Sequence, residues 1–176
     1  MIPWSQTLVS QNKAESAVTA NSATDLAPDF DYTFPANFFT IGTKFRMHAS
    51  GVMSTSATPG TETFAVELGA TMINAAFGAI TLVASAANQK WWLDIDVECR
   101  AYGAGTGTTF IATGLFLTLT ALVATPPYTP LPATGAVAAG TGVDATATQK
   151  LGLYGTFSVT GDSVTVEQYE VVLLQA

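Results

Sequence analysis

Residues 90–102 read Lys90-Trp91-Trp92-Leu93-Asp94-Ile95-Asp96-Val97-Glu98-Cys99-Arg100-Ala101-Tyr102. Trp91, Leu93, Ile95, Val97, Cys99 and Ala101 take every second position, and Trp92, Asp94, Asp96, Glu98, Arg100 and Tyr102 lie between them. A period of two is the pleat of a β-strand with one face in a core and the other wet or against a partner. A helix would need a period of 3.6.

The same pattern recurs on both sides of this strand. Phe45, Met47, Ala49 and Gly51 alternate with Lys44, Arg46, His48 and Ser50, which predicts a strand over 43–53. Thr58-Pro59-Gly60 follows as a turn, since proline presets φ and glycine accepts positive φ. Phe64, Val66 and Leu68 then alternate back, so 43–69 reads as a β-hairpin. Short strands are expected at 71–74 and 79–84, and a further strand at 108–122. A closing pair at 148–160 and 163–174 is joined by Thr160-Gly161-Asp162, which reads as a hairpin turn. Residues 124–143 hold Pro126, Pro127, Pro130 and Pro132 with several glycines. Prolines cannot supply ladder donors, so this segment reads as a long loop suited to contacting a partner. About eight strands at this spacing predict an all-β, jelly-roll-like antiparallel sandwich over 31–176. Residues 1–30 are rich in Ser, Ala, Thr, Asn and Gln and read as an extended N-terminal arm that orders against a neighbouring subunit.

Composition narrows the function. Of 176 residues, 48% are hydrophobic and only 11% charged, with six Lys and Arg against thirteen Asp and Glu, whereas soluble domains carry about a quarter charged residues. No charged residue lies between Arg100 and Asp144. An exterior so poor in ions suits a subunit covered by neighbours, and the expectation is a homotrimer or homodimer. The net charge of −7 argues against nucleic-acid binding, which needs clustered Lys and Arg. Cys99 is the only cysteine, so neither an internal disulfide nor a Cys-rich zinc site is expected. The start of the chain lacks the pattern of a secretory signal, and the apolar run 110–124 is shorter than a helical span. No membrane partner is expected, and folding in a cytoplasm is expected.

Candidate chemistry is sparse. His48 is the sole histidine and has no nucleophile-elbow pattern near it. Asp94, Asp96 and Glu98 project from one strand face roughly 7 Å apart in succession. They read first as a solvated or interface strip, with cation binding and a carbohydrate role alongside Trp92 as alternatives. No catalytic, cofactor or metal residue is assigned. The residues expected at an interface are Trp4, Leu8, Val9, Trp92, Pro126, Pro127 and Tyr128.

Phe34-Pro35-Ala36-Asn37-Phe38-Phe39, followed by Ile41-Gly42-Thr43-Lys44-Phe45-Arg46-Met47-His48-Ala49-Ser50-Gly51, resembles a pattern in tailed-bacteriophage virion proteins. The turn Ser56-Ala57-Thr58-Pro59-Gly60-Thr61, the strand end Leu68-Gly69 and the Lys90-Trp91-Trp92-Leu93 strand continue the likeness, which spans about 31–174. It implies a jelly-roll structural protein of the virion without catalytic residues: a capsid decoration or cement subunit bound to the major capsid protein, or another virion protein. The alternative is a tail or fibre component with a carbohydrate- or receptor-binding role, whose partner would be a glycan.

Overall fold

The computed structural model describes residues 5–73, 77–119, 121–123, 128–132 and 139–175, with the side chain of Gln175 left aside. Among them run thirteen strands: β1 Gln6–Ser10, β2 Thr24–Asp25, β3 Tyr32–Phe34, β4 Lys44–Ser54, β5 Thr61–Leu68, β6 Thr71–Met72, β7 Ile80–Thr81, β8 Gln89–Ala101, β9 Thr108–Thr118, β10 Tyr128–Leu131, β11 Ala139–Val143, β12 Gln149–Phe157 and β13 Ser163–Gln175. The only helical turn among the described residues is the 3-10 turn Pro28–Phe30.

All strand pairings between these elements are antiparallel, and they form two sheets packed as a sandwich. The large sheet runs β1-β13-β4-β8-β9-β10, with β11 sharing the same edge of β9 as β10. The small sheet runs β2-β12-β5-β6, with β3 also along β12 and β7 also along β5. The all-β sandwich expected from the alternation is therefore the fold. Most strands beyond the eight expected are pieces of two to five residues along the edges.

Inward positions of the long strands meet between the sheets. Phe64 of the small sheet lies 5.5 Å from Trp91 and 5.4 Å from Phe116 of the large one. At the other end Phe34, Phe39, Phe45 and Phe110 pack with ring centroids 4.7 to 5.6 Å apart. Truncating any of these to alanine should cost about 3–5 kcal/mol. Cys99 is fully buried among them, where burial pushes its thiol up.

Two expected hairpins are corrected. β4 pairs with β13 on one edge and β8 on the other, so no edge is left for β5, which pairs with β12 in the other sheet. Residues 55–60 are thus a crossover between sheets. Residues 158–162 are another, because β12 and β13 also lie in different sheets. The buried Asp162 carboxylate accepts the backbone N–H of Ser56 at 2.7 Å and of Gly60 at 3.3 Å, tying the two crossovers together.

The expected 124–143 loop is also corrected where it is described, because β10 and β11 both pair with β9. Pro130 is tolerated there because β10 is an edge strand. Of the strands expected at 71–74 and 79–84, the described residues hold only the two-residue β6 and β7, and residue 74 lies outside them.

The described part of the N-terminal segment is extended. β1 lies on β13 and β2 on β12 of the same chain. No residue from 5 to 25 is buried, and the first buried pair is Leu26 and Ala27.

Candidate functional site

The outward face of the large sheet carries polar side chains and two exposed aromatics, Trp92 and Tyr128, in rows. In one row Gln168 of β13, Ser50 of β4, Trp92 of β8, Leu117 of β9 and Tyr128 of β10 stand directly opposite one another. Trp92 is 39%, Leu117 37% and Tyr128 52% exposed. Leu119, two residues beyond Leu117, is also exposed. Strands lie about 4.8 Å apart, so the Trp92 and Tyr128 backbones are about 10 Å apart with Leu117 between.

The next rows are charged. His48 faces Asp94, Arg46 faces Asp96 and Lys44 faces Glu98. Arg46 donates from Nε to Asp96 Oδ1 at 2.7 Å and from Nη2 to Oδ2 at 3.1 Å, and Lys44 Nζ lies 3.2 Å from Asp96. These hydrogen bonds, Arg46's above all, hold Asp96 below the ordinary carboxylate range. His48 Nδ1 is 2.8 Å from Asp94 Oδ1, and Arg100 donates to Glu98 at 2.6 Å.

Each carboxylate of the strip therefore has a cationic or imidazole neighbour. Exposed pairs of this kind contribute only about 0.2–1 kcal/mol each, so their larger effect is to fix the register of β4 against β8. The arrangement does not gather the strip into a cation cage. Among the described residues no group of three His, Cys, Asp or Glu is placed to hold a metal. An ionised, doubly paired Asp96 is an acceptor and is unsuited to act as a general acid.

One hollow borders Trp92 and a second lies further along the same face. The first, of about 280 Å³, is lined by Ser50, Gly51, Lys90, Trp92, Glu167 and Gln168. Its shape comes from a bulge in β13 between Val166 and Gln168. Gly51 makes the bulge possible, since a Cβ there would lie 1.9 Å from the Thr165 carbonyl oxygen. Lys90 ion-pairs with Glu167 across the hollow, and Ser50 Oγ donates to Gln168 Oε1 at 3.1 Å. The other hollow, of about 400 Å³, lies over Gly114 between Arg46, Asp94, Asp96, Thr113 and Leu115. The face thus presents a flat apolar strip with hydrogen-bonding groups along both sides.

Of the residues expected at an interface, Trp92 and Tyr128 come together in the exposed row. Leu8 and Val9 lie at the opposite edge of the sheet on β1, partly buried against the core. Trp4, Pro126 and Pro127 lie outside the described residues. Leu117 and Leu119 escaped the sequence reading, because 108–122 is apolar at odd and even positions alike and reads as buried on both faces.

Two buried acidic sites lie elsewhere. Glu62 is fully buried in the small sheet. Burial, reinforced by the charge of Asp162 and opposed by the Thr156 backbone, pushes it up to about 8. Asp31 ion-pairs with Lys150, which also lies 3.7 Å from Asp25. Burial pushes Asp31 up to about 7, against the pull of Lys150 and with the help of Asp25.

No known protein family matches the chain. No curated protein matches it in sequence. Among solved structures, the CBM2 module of the evolved Dit of Lactobacillus casei BL23 phage J-1 aligns over 98% of this chain and 97% of that one, at 9% identity and a TM-score of 0.37. A likeness that low transfers no ligand and no site. No helix among the described residues is long and apolar enough to cross a membrane.

Proposed function

We propose that the chain is a non-enzymatic component of a tailed-phage virion that binds a receptor glycan through the outward face of its large sheet. The observation that carries this reading is the exposed Trp92–Leu117–Tyr128 row with its polar flanks. A pyranose offers apolar C–H faces, which stack on aromatic rings, and a rim of hydroxyls, which need nearby donors and acceptors. The row crosses three neighbouring strands with Leu117 between the two aromatics, which suits an extended glycan laid across the sheet, and Ser50, Gln168, Asp94 and Glu167 stand at the walls of the neighbouring hollows.

A second reading is a head-decoration subunit, and the scarcity of ionic side chains favours it. There the same apolar row would dock on a capsid protein as a hot spot. Glycan-array binding by the full chain, alongside Trp92→Ala and Tyr128→Ala, tests the choice. The expected outcome is glycan binding lost in both variants, with their melting temperatures close to the parent's, because exposed substitutions change stability by about 0.5 kcal/mol or less. Absence of glycan binding, together with Trp92-dependent attachment to purified heads lacking the protein, favours decoration instead.

A further inference from the structure

We propose that residues 5–18 are exchanged between copies of this chain, each copy's segment completing the large sheet of a neighbour. The inference stands on the fold and does not rest on the glycan reading.

The segment is held almost wholly by its backbone. Gln6, Thr7, Val9 and Ser10 pair with Leu173, Val172, Val171 and Glu170. The Gln11 N–H then donates to the Tyr169 carbonyl at 2.8 Å and the Glu15 N–H to Val166 at 2.9 Å, and Val18 exchanges both bonds with Val164. These contacts line one whole edge of β13, from Val164 to Leu173. Side chains add less: Leu8, Val9 and Val18 pack half-buried against the core, Gln11 Nε2 donates to the Val166 carbonyl at 3.3 Å, Lys13 ion-pairs with Asp29, and Thr7 Oγ1 donates to Glu170 at 3.3 Å.

Every one of these partners lies in the body of the domain and is present identically in a second copy. A segment from that copy would make the same bonds, so exchange costs no interaction, and this is the condition under which strand exchange produces oligomers cheaply. The edge itself demands an occupant. If the segment left, β13 would show its unpaired N–H and C=O groups to solvent, and a strand of the same sequence is the best fit for that edge.

The chain also has a pivot. Leu26 and Ala27 are buried and fix the path into the body, and β2 holds Thr24 and Asp25 on the small sheet. Residues 19–23 between them cross from one sheet to the other with none buried. Five residues extend to about 17 Å, enough to redirect the strand to an adjoining copy without disturbing Leu26.

The test is a disulfide between the paired positions 7 and 172. Thr7→Cys and Val172→Cys are placed on separately tagged copies and co-expressed, with the double variant Thr7→Cys/Val172→Cys as a companion; Cys99 is buried and does not compete. The expected result is a heterodisulfide joining the two tagged copies, and covalent chains of more than one copy from the double variant. A double variant that closes only within one copy overturns the proposal. So does a parent protein that sediments as a monomer at all concentrations, or the absence of either disulfide, which would take the segment off that edge.

Discussion

At the scale of single residues, Glu62 carries the clearest consequence. Its folded-state value of about 8 lies above the ordinary 4.5, so the folded protein holds that proton more tightly than the unfolded chain. The stability tied to this proton is complete below about pH 4.5, falls as the pH rises towards 8 and is flat beyond. Asp31, raised to about 7, slopes the same way. The parent's melting temperature should therefore decline between pH 5 and pH 8. Glu62→Gln should flatten the decline and melt a few degrees higher than the parent at pH 8, at about 2–4 °C per kcal/mol for a domain of this size. A parent curve that rises over this interval, or a variant with an unchanged slope, would sink the idea. Glu62 shares the parity of Phe64, Val66 and Leu68 and so falls on the inward face of the alternation, but a carboxylate at the start of a strand ordinarily turns to solvent, and the sequence reading passed it over. Trp92 was legible because Trp91 and Leu93 bracket it in a clean alternation, whereas Leu117 was hidden by apolar neighbours on both faces.

At the scale of elements, alternation revealed which residues face the core and did not reveal which strands are neighbours. β4 and β5 carry the pattern of a hairpin, yet a turn that bends through the sandwich looks the same in sequence as one that folds back within a sheet. What separates them is remote: Asp162, about a hundred residues downstream, accepts the N–H groups of Ser56 and Gly60. Removing that acceptor strands a buried donor, at about 1–3 kcal/mol. Asp162→Ala should lower the unfolding free energy measured by urea denaturation by an amount in that range, and Asp162→Asn, which keeps one carbonyl oxygen, by less. Equal losses in the two variants would mean that the carboxylate contributes through its charge. The β10 and β11 strands were unreadable for a different reason, since proline and glycine usually mark loops, and only the open edge of β9 makes such residues acceptable as strand.

At the scale of the whole molecule, the order of strands in space departs far from their order in sequence. β13 sits between β1 and β4, and β12 between β2 and β5. Pairings between distant segments must close large loops before any contact rewards them, so refolding from denaturant is expected on the millisecond-to-second scale typical of sandwiches. Stopped-flow Trp fluorescence would report it through Trp91, and relaxation complete within microseconds would contradict the topology.

The same placement of β13 bears on how the protein is made. During synthesis β4, β8 and β9 emerge before residues 163–175, so until β13 follows the growing polypeptide carries an eleven-residue strand with one flank unfilled. An unfilled flank of that length recruits strands from other molecules. Nascent copies on one messenger, held close together, are thus at risk of joining wrongly until β13 fills that flank. A brake on early collapse, or a chaperone over the β4 flank, is what this order of emergence calls for.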